Sequence, residues 1–125
     1  MRELINLTGH PVAVYPQRTI PPGVSPGVPV RVIAADPLKA PARLRETPLG
    51  PHRTLDAGPT AVPVLDVQYG PAVIDLPPPA LGVVYLVCLP VALAARRRHD
   101  LLVPGDLVHA ADGTVLGCRA LTRPL

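Results

Sequence analysis

The chain has 125 residues, of which 48% are hydrophobic, so it has the length of one domain and too much apolar material for disorder throughout. Its net charge of +3 is far below that of a dedicated nucleic-acid binder, and Phe and Trp, which stack on unpaired bases, are absent. The composition therefore predicts one folded domain over residues 1–125 that has no nucleic acid as its partner.

The N-terminal segment predicts a β-hairpin and a first candidate site. Its apolar residues alternate with smaller or polar ones on both sides of a turn at residues 8–11. Asn6, Thr8 and His10 occupy alternating positions, so their side chains should point the same way, with His10 as a general base or anion ligand. The alternative is that Asn6 and Thr8 cap the turn and His10 lies in solvent.

The next part of the chain is dominated by proline. Prolines and glycines in residues 19–29 exclude a central strand or helix, whereas residues 30–35, rich in Val and Ile, predict a short strand. From Asp36 to Pro59, five prolines and three arginines interrupt any periodicity, which predicts a long Pro/Arg-rich loop that contacts a partner. The 19 prolines of the chain, with few Asn, Gln and Met residues, also indicate a thermostable protein.

Apolar runs predict three strands between residues 62 and 89. Residues 62–69 and 72–76 flank a Gly-Pro turn and predict a second hairpin. Gly82 to Leu89 is a continuous apolar run, typical of a strand at the centre of a sheet. The longer apolar run 80–95 is too short to span a membrane, and the N-terminus lacks the apolar centre of a signal peptide. We therefore expect a cytoplasmic protein without membrane contact.

The C-terminal third predicts one helix and a closing hairpin. Pro90 suits the first turn of a helix that would run to Arg98 and place three arginines at its C-terminal end. Asp112-Gly113 marks a tight turn before a strand over Val115 to Leu121. The elements together predict a mainly β protein, either a small barrel or a curved antiparallel sheet, with one short helix near 90–98.

A second candidate site lies near the end of this helix. Arg98, His99 and Asp100 precede the closing hairpin, and Arg119 lies on its return strand. An Arg–Asp pair that holds the loop in place is the default interpretation. In the alternative, the guanidinium groups of Arg98 and Arg119 clamp a phosphate or a carboxylate.

The two cysteines, Cys88 and Cys118, do not form a metal-binding motif, because structural zinc sites need four ligands, usually in two close pairs. A reducing cytosol favours two buried thiols over a disulfide between them. Cys118 would need a nearby His, such as His10 or His109, to become a nucleophile, and a Cys in such a strand is usually a small buried hydrophobe. No phosphate-binding loop is present, so we expect no metal and no cofactor.

Two phrases of the sequence resemble those of a known family. These are NLTGHPV at residues 6–12 and DGTVLGCRAL at residues 112–121. Residues between them that share the likeness are 84–87, 91–92, Arg98 and 100–102. Small uncharacterised proteins from actinobacteria, other GC-rich bacteria and phages typically open with a phrase like NLTPH and close with one like DGxxxGCRxL. Gly9 stands here where that family usually has proline. The resemblance covers both termini and about half of the chain, and it implies kinship and a phage or prophage setting without a mechanism.

These patterns favour a non-enzymatic binding module for a protein partner or a small anionic ligand, because no complete catalytic set can be assembled from them. The long segment 36–59 is the predicted contact region. The alternative is a small hydrolase or transferase that uses His10 with Arg98, Arg119 or Cys118.

Overall fold

The computed structural model describes residues 2–17 and 25–125, and strands dominate this part of the chain. Its elements, in chain order, are β1 (Glu3–Asn6), β2 (Val12–Val14), β3 (Arg31–Ile33), β4 (Arg43–Pro48), β5 (Arg53–Ala57), β6 (Thr60–Val64), β7 (Val67–Ile74), β8 (Val83–Leu86), α1 (Leu89–Ala94), β9 (Leu101–His109) and β10 (Val115–Thr122). The mainly β class with one short helix is confirmed. Part of the predicted break at 19–29 lies outside the described residues, and no helix among those described is long and apolar enough to cross a membrane.

Six strands form a sheet in the order β1-β8-β9-β10-β2-β3. Ala35, just beyond β3, makes a parallel bridge to Asn6 at the end of β1, so the two edges nearly close a barrel. Three of the strand pairs are parallel (β1–β8, β8–β9 and β10–β2) and two are antiparallel (β9–β10 and β2–β3). Of the two predicted arrangements the barrel is observed, and the curved antiparallel sheet is not.

Several strands pair with other partners than the sequence predicts. The prediction of an N-terminal hairpin is wrong, because β1 pairs with β8 while β2 pairs with β10 and β3. The prediction of a hairpin over residues 62–76 is also wrong, because β6 pairs with β5 and β7 pairs with β4. Gly70-Pro71 lies inside β7 and forms no turn between strands. The central position of β8 and the closing β9–β10 hairpin are confirmed. Alternation predicts a strand, but the partner is decided by connections that the pattern does not reveal.

Helix α1 connects the parallel strands β8 and β9, as a crossover must. Pro90 occupies its first turn, as predicted, but the helix ends at Ala94 and carries no basic residue in its last turn. The arginines at 96–98 therefore lie in the turn that follows the helix and do not complement its dipole.

The side chains of the barrel strands divide between two apolar clusters on opposite faces of the sheet. The interior cluster lies inside the barrel and contains Val12, Ile33, Leu86 and Cys118. The flank cluster lies on the outside of β1, β8 and β9 and is covered by α1; its buried members are Leu7, Ala42, Tyr85, Val87, Val91, Ala92, Leu101 and Val103. Leu86 faces one cluster and its neighbours Tyr85 and Val87 face the other, which is the period of two expected of a strand buried on both faces.

The segment 36–59 contains two strands, β4 and β5, so the prediction of a long loop there is wrong. Strand β4 pairs with β7, and β5 pairs with β6. These two successive two-stranded sheets over residues 43–74 are called the β arm. The arm has a base, β4 with β7, and a tip, β5 with β6. The prolines of this segment indicate a loop, but most of these prolines lie at strand ends or in the loops between strands, where they are compatible with β4 and β5.

Candidate functional site

Asn6 is a buried polar residue that closes the barrel. Its side chain is 3% exposed, and its amide nitrogen donates to the carbonyl oxygens of Ile33 at 3.0 Å and of His10 at 2.9 Å. Its amide oxygen accepts from the backbone N–H of Thr8 at 2.9 Å and from the Thr8 hydroxyl at 2.6 Å. The structure therefore brings Asn6 and Thr8 together, but their hydrogen bonds stabilise the turn after β1 and connect β1 to β3.

His10 is exposed beside this turn. Its Nδ1 lies 3.0 Å from the carbonyl oxygen of Pro11, and its own carbonyl oxygen lies 3.0 Å from the Thr8 hydroxyl, whose one hydrogen makes the shorter bond to Asn6. Gly9 has φ +87°, and a Cβ there would lie 2.8 Å from Pro41, so this turn requires glycine. Proline, fixed near φ −65°, cannot adopt this conformation, so the turn differs from what the NLTPH phrase would form.

Arg98 and Asp100 form a bidentate ion pair in front of β9. Arg98 Nε donates to Asp100 Oδ1 at 2.8 Å, and Nη2 donates to Oδ2 at 2.7 Å and to the carbonyl oxygen of Pro77 at 2.9 Å. The hydrogen bonds from Arg98 lower the pKa of Asp100, and those to Asp100 raise the pKa of Arg98. This geometry is that of a clamp between the turn after α1 and the segment before β8. His99, between the two, is exposed.

Arg119 does not join this clamp. The β9–β10 register places it opposite Asp106, and its Nη1 lies 3.7 Å from Asp106 Oδ1. Asp106 and Asp100 are separated by six residues of mostly extended chain, or about 20 Å. The Nε of Arg119 is buried without a hydrogen-bond partner. The structure thus gives the two arginines separate carboxylates and does not assemble them around one anion.

The two thiols are free and differ in environment. Cys118 lies in the interior cluster, fully buried, and its Sγ is 3.7 Å from the carbonyl oxygen of Ala13. Burial raises the pKa of Cys118, which disfavours a thiolate, and the exposed His10 does not contact it. Cys88 is exposed, so the prediction that both thiols are buried is wrong for Cys88. It precedes α1 at the surface because β8 ends at Leu86.

A shallow hollow of about 260 Å³ lies between the base of the arm and the clamp. It is lined by Lys39, Ala40, Asp75, Leu76 and Pro77. One cation and one anion in this lining do not define a ligand charge, and Asp75 is bound to Arg43 at 2.6 Å. Within residues 2–17 and 25–125, no cluster of three or more His, Cys, Asp and Glu side chains is placed to hold a metal ion.

The tip of the arm is the feature that the sequence argument missed. Strands β5 and β6 pair only with each other in the described structure, and their turn, Gly58-Pro59, has φ +67° at Gly58, as a type II′ turn requires. The cross-strand pair Leu55 and Val62 shares one face, and these side chains are 57% and 42% exposed. The alternation on each side of Gly58-Pro59 was the available signal for this hairpin.

Comparisons with protein-family models, with curated proteins and with solved structures gave no match to this chain.

Proposed function

We propose that this protein is a non-enzymatic binding module that holds a protein partner with the tip of its β arm. The supporting observation is the tip itself, whose strands pair only with each other in the described structure and expose Leu55 and Val62 on one face. An isolated two-stranded hairpin is at best marginally stable in water, and exposed apolar side chains on such an element are typical of a contact surface.

The residues around the tip extend this surface. Leu49 and Leu65 lie where the tip meets the base, and both are at least half exposed. An exposed ion pair of 2.8 Å joins Arg53 to Asp66, and the backbone N–H of Leu49 donates to the Asp66 carbonyl oxygen at 2.9 Å. The tip is therefore connected to the base at two defined positions.

The polar candidates support a small anionic ligand less well. Arg98 Nε and Nη2 are bound to Asp100 or to Pro77, and Asn6 and Thr8 bind each other and the backbone. An enzyme that uses Cys118 is disfavoured by the burial of that thiol. A phage or prophage setting, a cytoplasmic location and thermostability stay predictions from the sequence.

Photo-crosslinking at Leu55 tests this proposal. A photoreactive amino acid at this position, in the organism that encodes the protein, should give discrete protein adducts after irradiation. The matched control is the same amino acid at Val115 on the barrel, since Val115 is 53% exposed against 57% for Leu55. Identical adducts at both positions, or none at Leu55, would overturn the proposal.

A further inference from the structure

The two outer edges of the arm tip differ in their capacity to bind another strand. The two-residue loop closes on Ala57 and Thr60, so this pair and every second pair after it are hydrogen-bonded. The residues of the pairs in between direct their backbone groups outward. On β5 these are Thr54 and Asp56, each with an N–H and a C=O, whereas Pro63 on β6 has no N–H to offer.

Pro63 therefore interrupts the edge of β6, where Ala61 alone keeps an outward N–H, and the edge of β5 stays complete. A proline on an edge strand is a common device against unwanted pairing. Its position leaves the hairpin intact, because Pro63 and Thr54 form a pair that exchanges no hydrogen bonds. The hairpin thus offers a complete row of donors and acceptors on β5 and an incomplete row on β6.

We infer that the open edge of β5 pairs with β5 of a second copy of this chain, in antiparallel orientation, around a two-fold axis at Leu55. This inference rests on the proposed function, since it names the partner of the arm tip. The product is a four-stranded sheet in the order β6-β5-β5-β6, and it uses the same surface patch on both copies, as a two-fold dimer requires.

The residues of β5 are complementary to themselves in this register. Thr54 lies opposite Asp56 of the second copy, so the four outward backbone groups of each strand find four partners. On the face of the sheet that carries Thr54 and Asp56, the hydroxyl of each Thr54 lies opposite the carboxylate of Asp56 of the other copy and can donate to it. No two carboxylates lie directly opposite each other.

The opposite face of the new sheet is apolar at its centre. Leu55 meets Leu55 of the second copy at a close, non-hydrogen-bonded pair, with Val62 beside each. The result is a continuous Val-Leu-Leu-Val stripe across four strands, which covers part of the exposed surface of Leu55 and Val62. A contact this small is below the size of permanent interfaces, so the dimer should be weak and reversible.

Analytical ultracentrifugation of the full chain, from about 10 to 500 µM to span weak association, tests the inference. We expect the wild type to shift from monomer to dimer over this range and Thr54→Pro to stay monomeric, because that substitution removes an outward N–H from β5. The control is Ala61→Pro, which removes an outward N–H from β6 and should leave dimerisation unchanged. A wild type that is monomeric at the highest concentration would overturn the inference, as would equal losses in both variants.

A second pair of variants tests the dimer without introducing a proline into the hairpin. Leu55→Arg places two cations against each other at the two-fold axis and should abolish the dimer. Leu65→Arg adds the same charge at a residue of similar exposure, 61% against 57%, but away from the axis, and should keep it. Dimerisation of Leu55→Arg at wild-type concentrations would also contradict the inference.

The crosslinking experiment separates this inference from the proposal on which it rests. Adducts of Leu55 at twice the mass of the chain support both. Adducts only with a different protein, combined with a monomeric wild type, support the proposed function and overturn the dimer. An absence of any adduct at Leu55 overturns the proposed function itself.

Discussion

The barrel and the arm tip use their side chains in opposite ways. In the barrel, strands from distant parts of the sequence pair with one another, and polar groups such as Asn6 and the Arg98–Asp100 pair are consumed in holding them together. In the tip, β5 and β6 are neighbours in sequence, and they expose both apolar and backbone groups. Under the proposed function, stability and recognition are assigned to different regions, and substitutions should affect one without the other.

Deletions should separate the two regions with the largest effect. Replacing residues 50–65 by an Asn-Gly turn joins Leu49 to Asp66, which are already hydrogen-bonded, and should preserve a cooperative thermal transition by circular dichroism. Replacing residues 36–59 by a Gly/Ser linker removes β4 and the buried Ala42 of the flank cluster and should abolish that transition. Unfolding of the 50–65 variant would show that the tip belongs to the stable unit.

The next largest effect is expected at Asn6. Asn6→Ala leaves the carbonyl groups of Ile33 and His10 and the N–H of Thr8 without their partner, which should lower the free energy of unfolding by about 2 to 3 kcal/mol. The control is Thr54→Ala in the arm tip, where an exposed substitution should change it by less than about 0.5 kcal/mol. Urea denaturation measures both, and equal small changes would contradict the role of Asn6 in closing the barrel.

The clamp should give a smaller and coupled effect. Asp100→Ala and Arg98→Ala should each destabilise by about 1 to 3 kcal/mol, because each leaves a partly buried charge without its partner. The double variant should cost less than the sum, whereas Asp100→Ala and Arg119→Ala should be additive, since Arg119 faces Asp106. Coupling between Asp100 and Arg119 in such a cycle would contradict the separation seen here.

The same pair predicts a dependence on pH. The pKa of Asp100 is lower in the folded protein than in the unfolded chain, so its contribution is complete above the unfolded value of about 3.9 and is lost as the pH falls through the folded value. Asp100→Asn removes the carboxyl group that takes up a proton when the chain unfolds at low pH. Its stability should therefore fall less steeply than that of the wild type below about pH 4. Parallel curves from urea titrations at several pH values would count against the clamp.

The smallest effect on stability is expected at Pro63. Pro63→Thr restores an N–H to the outer edge of β6 without disturbing the pairing with β5, and should change the free energy of unfolding by less than about 0.5 kcal/mol. With both edges open, the chain should associate beyond a dimer at high concentration, as measured by light scattering. A variant that stops at the wild-type size would show that Pro63 does not limit assembly.

The sequence predicted best where a local signal decides the structure. Asp112-Gly113 forms the closing hairpin because its turn preference acts on adjacent strands, and the run from Gly82 to Leu89 forms a central strand because both of its faces are apolar. Pro90 predicts the start of the helix correctly. The sequence does not predict its end at Ala94, because the arginines that follow lie in the turn before β9, where Arg98 binds Asp100.

The failures concern partners and roles. Nothing in the pattern of β1 indicates that it pairs with β8, some 80 residues away, because alternation carries no information on distant register. Asn6 was proposed as a ligand residue, yet its bonds become visible only when Ile33 is brought beside it. The sequence of residues 36–59 predicts a loop because its five prolines interrupt any periodicity, although most of these prolines lie at strand ends or in the connections between strands.

The seam that Asn6 closes also sets where the barrel should open first. Across this seam between β1 and β3 the described backbone supplies a single parallel bridge between Asn6 and Ala35, which includes the hydrogen bond of 3.1 Å from the Asp36 N–H to the Asn6 carbonyl oxygen, whereas β8 is bonded along both of its edges. Local opening requires the least free energy where the fewest bonds must break. The amide hydrogen of Asp36, which bonds across this seam, should therefore exchange with solvent well before those of β8, with the barrel parting along this line while its centre stays folded.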